Sequence, residues 1–201
     1  MTQLDHIVVA AETLEQGLEY VQTTLAVELP PAGGKHPLMG THNRLLNLGN
    51  GAYLEIIAID PEVLAPGRPR WFDLDRFTGA PRLLTWVART DALGRYQSLE
   101  LGTVSKASRG DLEWLIAIPE DGRLHLGGTV PYLIQWGQQH PTDTLLGVGC
   151  YLTELVVLHP QPERVRGVLQ ELALGDLRVG WSDVPKLEAH IQTPNGSTVL
   201  R

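Results

Sequence analysis

The sequence predicts an α+β fold, with repeated βαβββ units forming cupped mixed β-sheets and helices on the outside. Three observations predict it. A short β-branched run, Leu4-Asp5-His6-Ile7-Val8-Val9-Ala10, opens the chain and is followed at once by a helical stripe. Its hydrophobic pattern returns in Leu84-Thr85-Trp86-Val87-Ala88 and in Leu152-Thr153-Glu154-Leu155-Val156-Val157-Leu158, a period of roughly 70 residues that points to internal duplication. Asn-Gly pairs stand at 50–51 and 195–196 between strand-like runs, and such pairs favour tight hairpins because both residues accept positive φ. The resulting expectation is one domain over residues 1–201, made of units at about 1–60, 80–137 and 147–201.

Each element follows from local pattern. Residues 4–10 are nearly all apolar after His6, as in a strand buried on both faces. Thr13, with Gln16 three residues on, offers a capping box, and Leu14, Leu18, Val21 and Leu25 fall at helical spacing, so 13–25 reads as an amphipathic helix. Pro30-Pro31-Ala32-Gly33-Gly34 reads as an exposed loop. Thr41 to Leu48 is a half-alternating strand, and the Gly49-Asn50-Gly51 turn leads into the strand Tyr53-Leu54-Glu55-Ile56-Ile57-Ala58-Ile59. Residues 60–80, rich in Pro, Gly and Asp, read as a crossing connection carrying Trp71 and Phe72. In the second unit Asp91 can cap a short helix bearing Leu93 and Leu99, and 112–118 and 130–136 are further strands. In the third, Val165, Val168, Leu169 and Leu172 make a helical stripe, and 177–181, 186–193 and 197–200 read as strands.

The totals exclude whole classes of function. A net charge of −7 and a pI near 5.4 argue against a nucleic-acid surface, which needs a basic patch. One cysteine, Cys150, rules out an internal disulfide framework and fits a reducing compartment. No apolar run approaches the roughly 18 residues of a membrane span. The N-terminus lacks the pattern of a signal peptide. The reading is a cytoplasmic protein with a small-molecule ligand, no nucleic-acid partner and no membrane. An exposed sheet edge would also let a surplus unit pair across a homodimer.

An imidazole at position 6 and a carboxylate at position 55 on neighbouring strands suit either a metal site or an acid–base pair. The βαβββ repeat, the histidine of Leu4-Asp5-His6-Ile7-Val8-Val9 and the glutamate after an Asn-Gly hairpin together resemble the vicinal oxygen chelate superfamily. That superfamily includes glyoxalase I, extradiol dioxygenases and bleomycin-resistance proteins. Gly40-Thr41-His42-Asn43, Gly51 to Ile57 and Val130 to Gly137 resemble its uncharacterised glyoxalase-like group.

The resemblance implies a cup formed by two paired units, each giving a ligand from its first and its last strand. His6 and Glu55 stand at those places in the first unit. The second unit has Trp86 and either Ile134 or Gln135 there, and the third has Glu154 and Leu200. Pairing of the first and third units implies a metal set of His6, Glu55 and Glu154. Pairing of the first and second leaves His6, Glu55 and Gln135. The implied cofactor is a divalent ion (Fe, Mn, Zn or Ni), with Glu55 also moving a proton. The implied activity is a metal-dependent lyase, isomerase or dioxygenase acting on a small oxygen-rich molecule. The alternative is a non-catalytic protein that sequesters a ligand.

The remaining candidates are substrate contacts. Asn43 should face the cup, because Leu46 and Leu48 on the opposite side of its strand suit packing under the helix. His42 is as good a turn anchor as a ligand contact. Trp86 and Trp136 fill core or line a pocket. His36, His125, His140 and His159 stand beside Pro or Gly and read as surface residues.

Overall fold

The computed structural model describes residues 1–201. The first unit contains strand β1 (Gln3–Ala10), helix α1 (Leu14–Leu25) and strands β2 (Gly33–His36), β3 (Thr41–Asn47) and β4 (Tyr53–Ile59). The second contains β5 (Arg82–Arg89), β6 (Thr103–Arg109), β7 (Leu112–Ile118) and β8 (Tyr132–Trp136). The third contains β9 (Tyr151–His159), helix α2 (Pro162–Glu171), β10 (Arg178–Trp181), β11 (Lys186–Thr193) and β12 (Gly196–Leu200).

The first two units join in one eight-stranded sheet, ordered β2-β3-β4-β1-β5-β8-β7-β6. The halves are related in topology, because β4 runs parallel to β1 as β8 does to β5, and β1 and β5 meet antiparallel at the centre. The sheet curls until its edges, β2 and β6, approach each other. Both edge strands escape the sequence pattern. β2 lies in the Gly33-Gly34 segment expected to be a loop, and β6 is a polar run, Thr-Val-Ser-Lys-Ala-Ser-Arg, solvated as an edge strand should be.

The third unit stands apart as a four-stranded sheet, β10-β9-β11-β12. Its first strand pairs in parallel with the strand directly after its helix, whereas in the first two units it pairs with the last strand. Its hydrophobic pattern thus resembles theirs while its topology differs. It packs on the convex back of the large sheet. Leu155, Val157, Leu187 and Ile191 share one core with Ile7, Val9 and Trp86, and Leu83 N–H donates to Arg201 O at 2.8 Å. The second unit needs this cover. Where the first has α1, it has only a kinked 3-10 stretch, Leu93–Leu99, and Asp91 does not cap it. Asp91 instead meets the N-terminal ammonium at 3.0 Å, on the surface.

Helix α1 forms as its sequence implies. Thr13 is the N-cap and its hydroxyl accepts from Gln16 N–H, the return bond from Gln16 being present as well. The helix buries Leu14, Val21 and Leu25 against Leu46, Leu54 and Ile56. Gly17 permits the close approach, since a Cβ there would lie 2.5 Å from Ile56 Cγ2.

On the concave side a second core forms from Val8, Ile57, Val87, Trp114, Ile116 and Tyr132. The connection between the two halves fills much of the cup. It enters as a 3-10 stretch, Trp71–Arg76, which buries Trp71, Phe72 and Leu74. Phe72 and Asp73 adopt left-handed φ values of 57° and 56°, a conformation that costs an L-residue about 1–2 kcal/mol. Two anchors hold it. Phe72 N–H donates to the Tyr132 hydroxyl at 3.2 Å, and the Arg70 guanidinium binds Asp75 at 2.5 Å.

Candidate active site

The site grows from β1 and β4. On β1, Ile7 and Val9 face the convex core while Val8 faces the cup; on β4, Leu54 and Ile56 face the convex core while Ile57 faces the cup. His6 and Glu55 therefore project into the concavity, with Nε2 of the imidazole 3.4 Å from Oε2 of the carboxylate. Tyr53 stacks on the imidazole, ring centroids 4.4 Å apart and planes 18° from parallel.

The imidazole has a second acidic partner that strict alternation conceals. Leu4 pairs with Ala88 and His6 with Val87, so Asp5 is the extra residue of a β-bulge. A bulge re-aims side chains. Here it lets neighbouring residues meet, with Asp5 Oδ1 2.6 Å from His6 Nδ1. The other oxygen, Oδ2, accepts from Trp136 Nε1 at 3.0 Å and from Arg89 at 3.4 Å, and lies 2.9 Å from His140 Nε2. Arg89 in turn donates to Gly51 O at 2.6 Å. Gly51 has φ 72°, and a Cβ there would lie 2.9 Å from that guanidinium, so the hairpin glycine serves both the turn and the approach of the cation.

Glu55 is held from its other side by Asn43, whose amide donates to Oε1 at 2.6 Å. Asn43 Oδ1 accepts from Gly34 N–H at 3.0 Å and from Arg109 at 2.8 Å. His36 lies beside them, its Nδ1 3.0 Å from Thr41 Oγ1 and its Nε2 3.3 Å from Asn43 Nδ2. A continuous polar chain therefore runs from His140 through Asp5, His6, Glu55 and Asn43 to Arg109 and His36.

Electrostatics follow from this packing. Burial alone would push the His6 imidazole down, but bonds and charge from Asp5 and Glu55 outweigh it and raise the pKa from 6.5 to about 9. Burial likewise would raise Glu55, yet the hydrogen bond and positive charge of His6 hold it near 2. Burial of Asp5 is outweighed by His140 and His6, which keep its carboxyl well below the usual range. His36 has the opposite fate. Burial lowers it to about 4, the Arg109 cation adding to the effect against Glu55. At neutral pH the centre is thus an imidazolium between two carboxylates, with a neutral histidine nearby.

These groups line a small cavity walled by Trp71, Trp114, Ile134 and Trp136. The space open to the centre of a water molecule is about 30 Å³, room for about two waters. The Trp71 ring is 3% exposed and its Nε1 has no partner, a deficit that costs about 1–3 kcal/mol when nothing fills it.

The cavity brings together four sequence candidates, His6, Glu55, Asn43 and Trp136. The others lie elsewhere. Trp86 is on the convex face of β5, buried under the third unit, where its Nε1 donates to Thr129 O at 3.1 Å. Gln135 alternates out of the cup and accepts from Leu93 N–H at 3.1 Å. His42 shares the side of its strand that carries Leu46, which packs in the convex core under α1, and so faces away from the cup. Glu154 is in the other sheet, part-exposed beside Arg178 at 3.7 Å. The surface assignment of the loop histidines also needs correcting: His36 and His159 are buried, and His140 and His125 are partly so. Sequence reasoning missed Asp5, His36, Tyr53, Trp71 and Arg109. Adjacency of Asp5 to His6 was the one available signal.

The metal set implied by the superfamily does not fit this cup. Register between the halves matches His6 with Val87 and Glu55 with Ile134, both apolar. No three His, Cys, Asp or Glu side chains lie close enough to hold an ion together, and the His6 and Glu55 donors are already engaged with each other.

Comparison with known proteins agrees with the architecture. Among solved structures, a hypothetical protein from Staphylococcus aureus superposes with a TM-score of 0.65 at 13% identity, covering 92% of this chain and 88% of that one. That likeness shows a shared fold. Weaker likeness extends to methylmalonyl-CoA epimerase from Mycobacterium tuberculosis, with a TM-score of 0.46 and 17% identity over 70% of this chain and 90% of that one. A hypothetical protein from Bacillus halodurans C-125 gives 0.43 and 15% over 69% and 96%. No curated protein matches the chain. The family model of the glyoxalase-like domain matches residues 4–173, taking in the whole cup and the start of the third unit, and the chain therefore belongs to the glyoxalase-like domain family.

Proposed function

We propose that the protein binds a small oxygen-bearing molecule in the cup and moves a proton at a carbon beside a carbonyl, as a lyase or isomerase does. One observation carries this reading: a buried imidazole clamped between two carboxylates, at 2.6 Å and 3.4 Å, on the wall of an aromatic-lined cavity.

The step can be written with this chain's own groups. A substrate carbonyl oxygen accepts the His6 Nε2–H in place of Glu55. Glu55, released from that contact, takes the proton from the adjacent carbon. The C–H electron pair moves into the carbonyl, and the imidazolium stabilises the enolate oxygen that results. Return of the proton from Glu55 to the same carbon restores the substrate and registers only as exchange with solvent. In a hydroxyketone, return to the former carbonyl carbon, with the neighbouring hydroxyl proton passing to the enolate oxygen, completes an isomerisation. Asp5 keeps Nδ1 protonated and the ring fixed, so the positive charge stays where the oxyanion develops. Superfamily chemistry that places a divalent ion at this point calls for donors where this chain has Val87 and Ile134, so the role falls to the imidazolium.

The test is exchange of substrate protons. Small oxo acids and hydroxyketones would be incubated with the protein in deuterated buffer containing EDTA, and α-deuteration followed by NMR. The reading predicts exchange with the wild type and a loss of about 100-fold or more in Glu55→Gln. Equal exchange in both proteins overturns it. The aromatic walls favour one rival, ligand sequestration without chemistry. It predicts thermal stabilisation by a ligand whose protons never exchange.

A further inference from the structure

Two groups lining the cavity keep unused binding capacity. Arg109 is the first. Its NH1 donates to the Asn43 carbonyl at 2.8 Å and lies 3.5 Å from His36 Nε2, both uncharged partners. The other arginine at the centre, Arg89, has the Asp5 carboxylate, whereas Arg109 makes no ion pair. Trp71 is the second, with its buried Nε1–H unpartnered. A guanidinium and an indole N–H can between them serve an anion with two acceptor oxygens. The cavity is too tight for more than a head group, but Arg109 also borders an open cleft between Pro31–Lys35 and Gln139–Leu145, where the rest of a molecule can lie.

We propose that Arg109 and Trp71 form a carboxylate subsite, and that the ligand is a small oxo acid whose carboxylate sits there while its carbonyl reaches His6. This deepens the proton-transfer reading and rests on it for the role of the carbonyl. Asn43 ties the two ends together, receiving from Arg109 and donating to Glu55 at 2.6 Å, so the anion would be fixed one side chain away from the base. Arg109 and Trp71 are binding residues in this scheme and touch no reacting atom.

Calorimetric titration of acetoacetate and pyruvate, each against its methyl ester, separates this proposal from the reading beneath it. The wild type is expected to bind the acids about 10- to 100-fold more tightly than the esters. Arg109→Gln should abolish that preference, Arg109→Lys should restore part of it, and Trp71→Phe should reduce it. Glu55→Gln should keep the preference while losing proton exchange. Should acids and esters bind the wild type alike, or Arg109→Gln keep the preference, the subsite is refuted even if exchange occurs. An intact preference without exchange supports the subsite and removes the chemistry.

Discussion

Replacing Asp5 with Asn tests the centre of the site in one step. The Asp5 side chain is fully buried and receives His6 at 2.6 Å, Trp136 at 3.0 Å and Arg89 at 3.4 Å, with His140 at 2.9 Å. Asparagine keeps the shape but removes the charge, and its amide must turn N–H groups towards other donors. Arg89 and His140 are partly solvated, at 21% and 17% side-chain exposure, and lose little. His6, at 5%, does not have that relief. A rise from 6.5 to about 9 for His6 corresponds to about 3 kcal/mol, and Asp5 and Glu55 share it. Losing the Asp5 share and leaving donors unpaired should cost about 2–4 kcal/mol. For a chain of this length that is a fall of about 4–16 °C in Tm. Urea unfolding at pH 7 followed by tryptophan fluorescence would measure it, with the exposed Asp111→Asn as control. A loss below about 1 kcal/mol at unchanged m-value would refute the claim that Asp5 sustains a buried cation.

Three further outcomes follow from the same geometry. Stability should peak near pH 6.5. The elevated His6 contributes fully below 6.5, and its contribution is lost as pH rises through about 9. The depressed His36 takes stability away as pH falls from 6.5 to about 4, and the Glu55 contribution fades from 4.5 down to about 2. Denaturation at intervals from pH 4 to 9 would show a monotonic curve if these assignments were mistaken. Trp86→Ala should cost about 3–5 kcal/mol by opening a cavity beneath the third unit, yet leave oxo-acid affinity in calorimetry within about twofold. Gly17→Ala should destabilise despite the better helix propensity of alanine, since its methyl meets Ile56 at 2.5 Å; a rise in Tm would contradict the packing described.

How far the sequence showed all this depends on which rule governs each residue. His6 and Glu55 lie in long apolar runs where alternation and pairing are strongly specified, and they meet as their spacing suggests. Asn43 was legible for the same reason, because Leu46 and Leu48 fix its strand's buried face. Asp5 was hidden by a bulge, which no periodicity reveals. Arg109 and His36 were hidden because edge strands β6 and β2 are polar or Gly-rich and carry no hydrophobic pattern. Trp86 and Gln135 fail by one position: in a strand a single residue decides between cup and back. Glu154 fails at a higher level, since the third unit copies the hydrophobic pattern of the first strand but makes its own sheet. Its role as cover for a half that lacks a helix appears only once the absence of that helix is seen.

The chemistry of the cup turns on the protonation state of the His6 ring. Long-range nitrogen–proton correlation spectra of the histidines at pH 7 would observe it directly. Both His6 nitrogens should carry protons, with a single titration near pH 9, and Asp5→Asn should bring that titration down. A neutral His6 tautomer at pH 7, with only one nitrogen protonated, would contradict the imidazolium and with it the proton-transfer chemistry assigned to this cup.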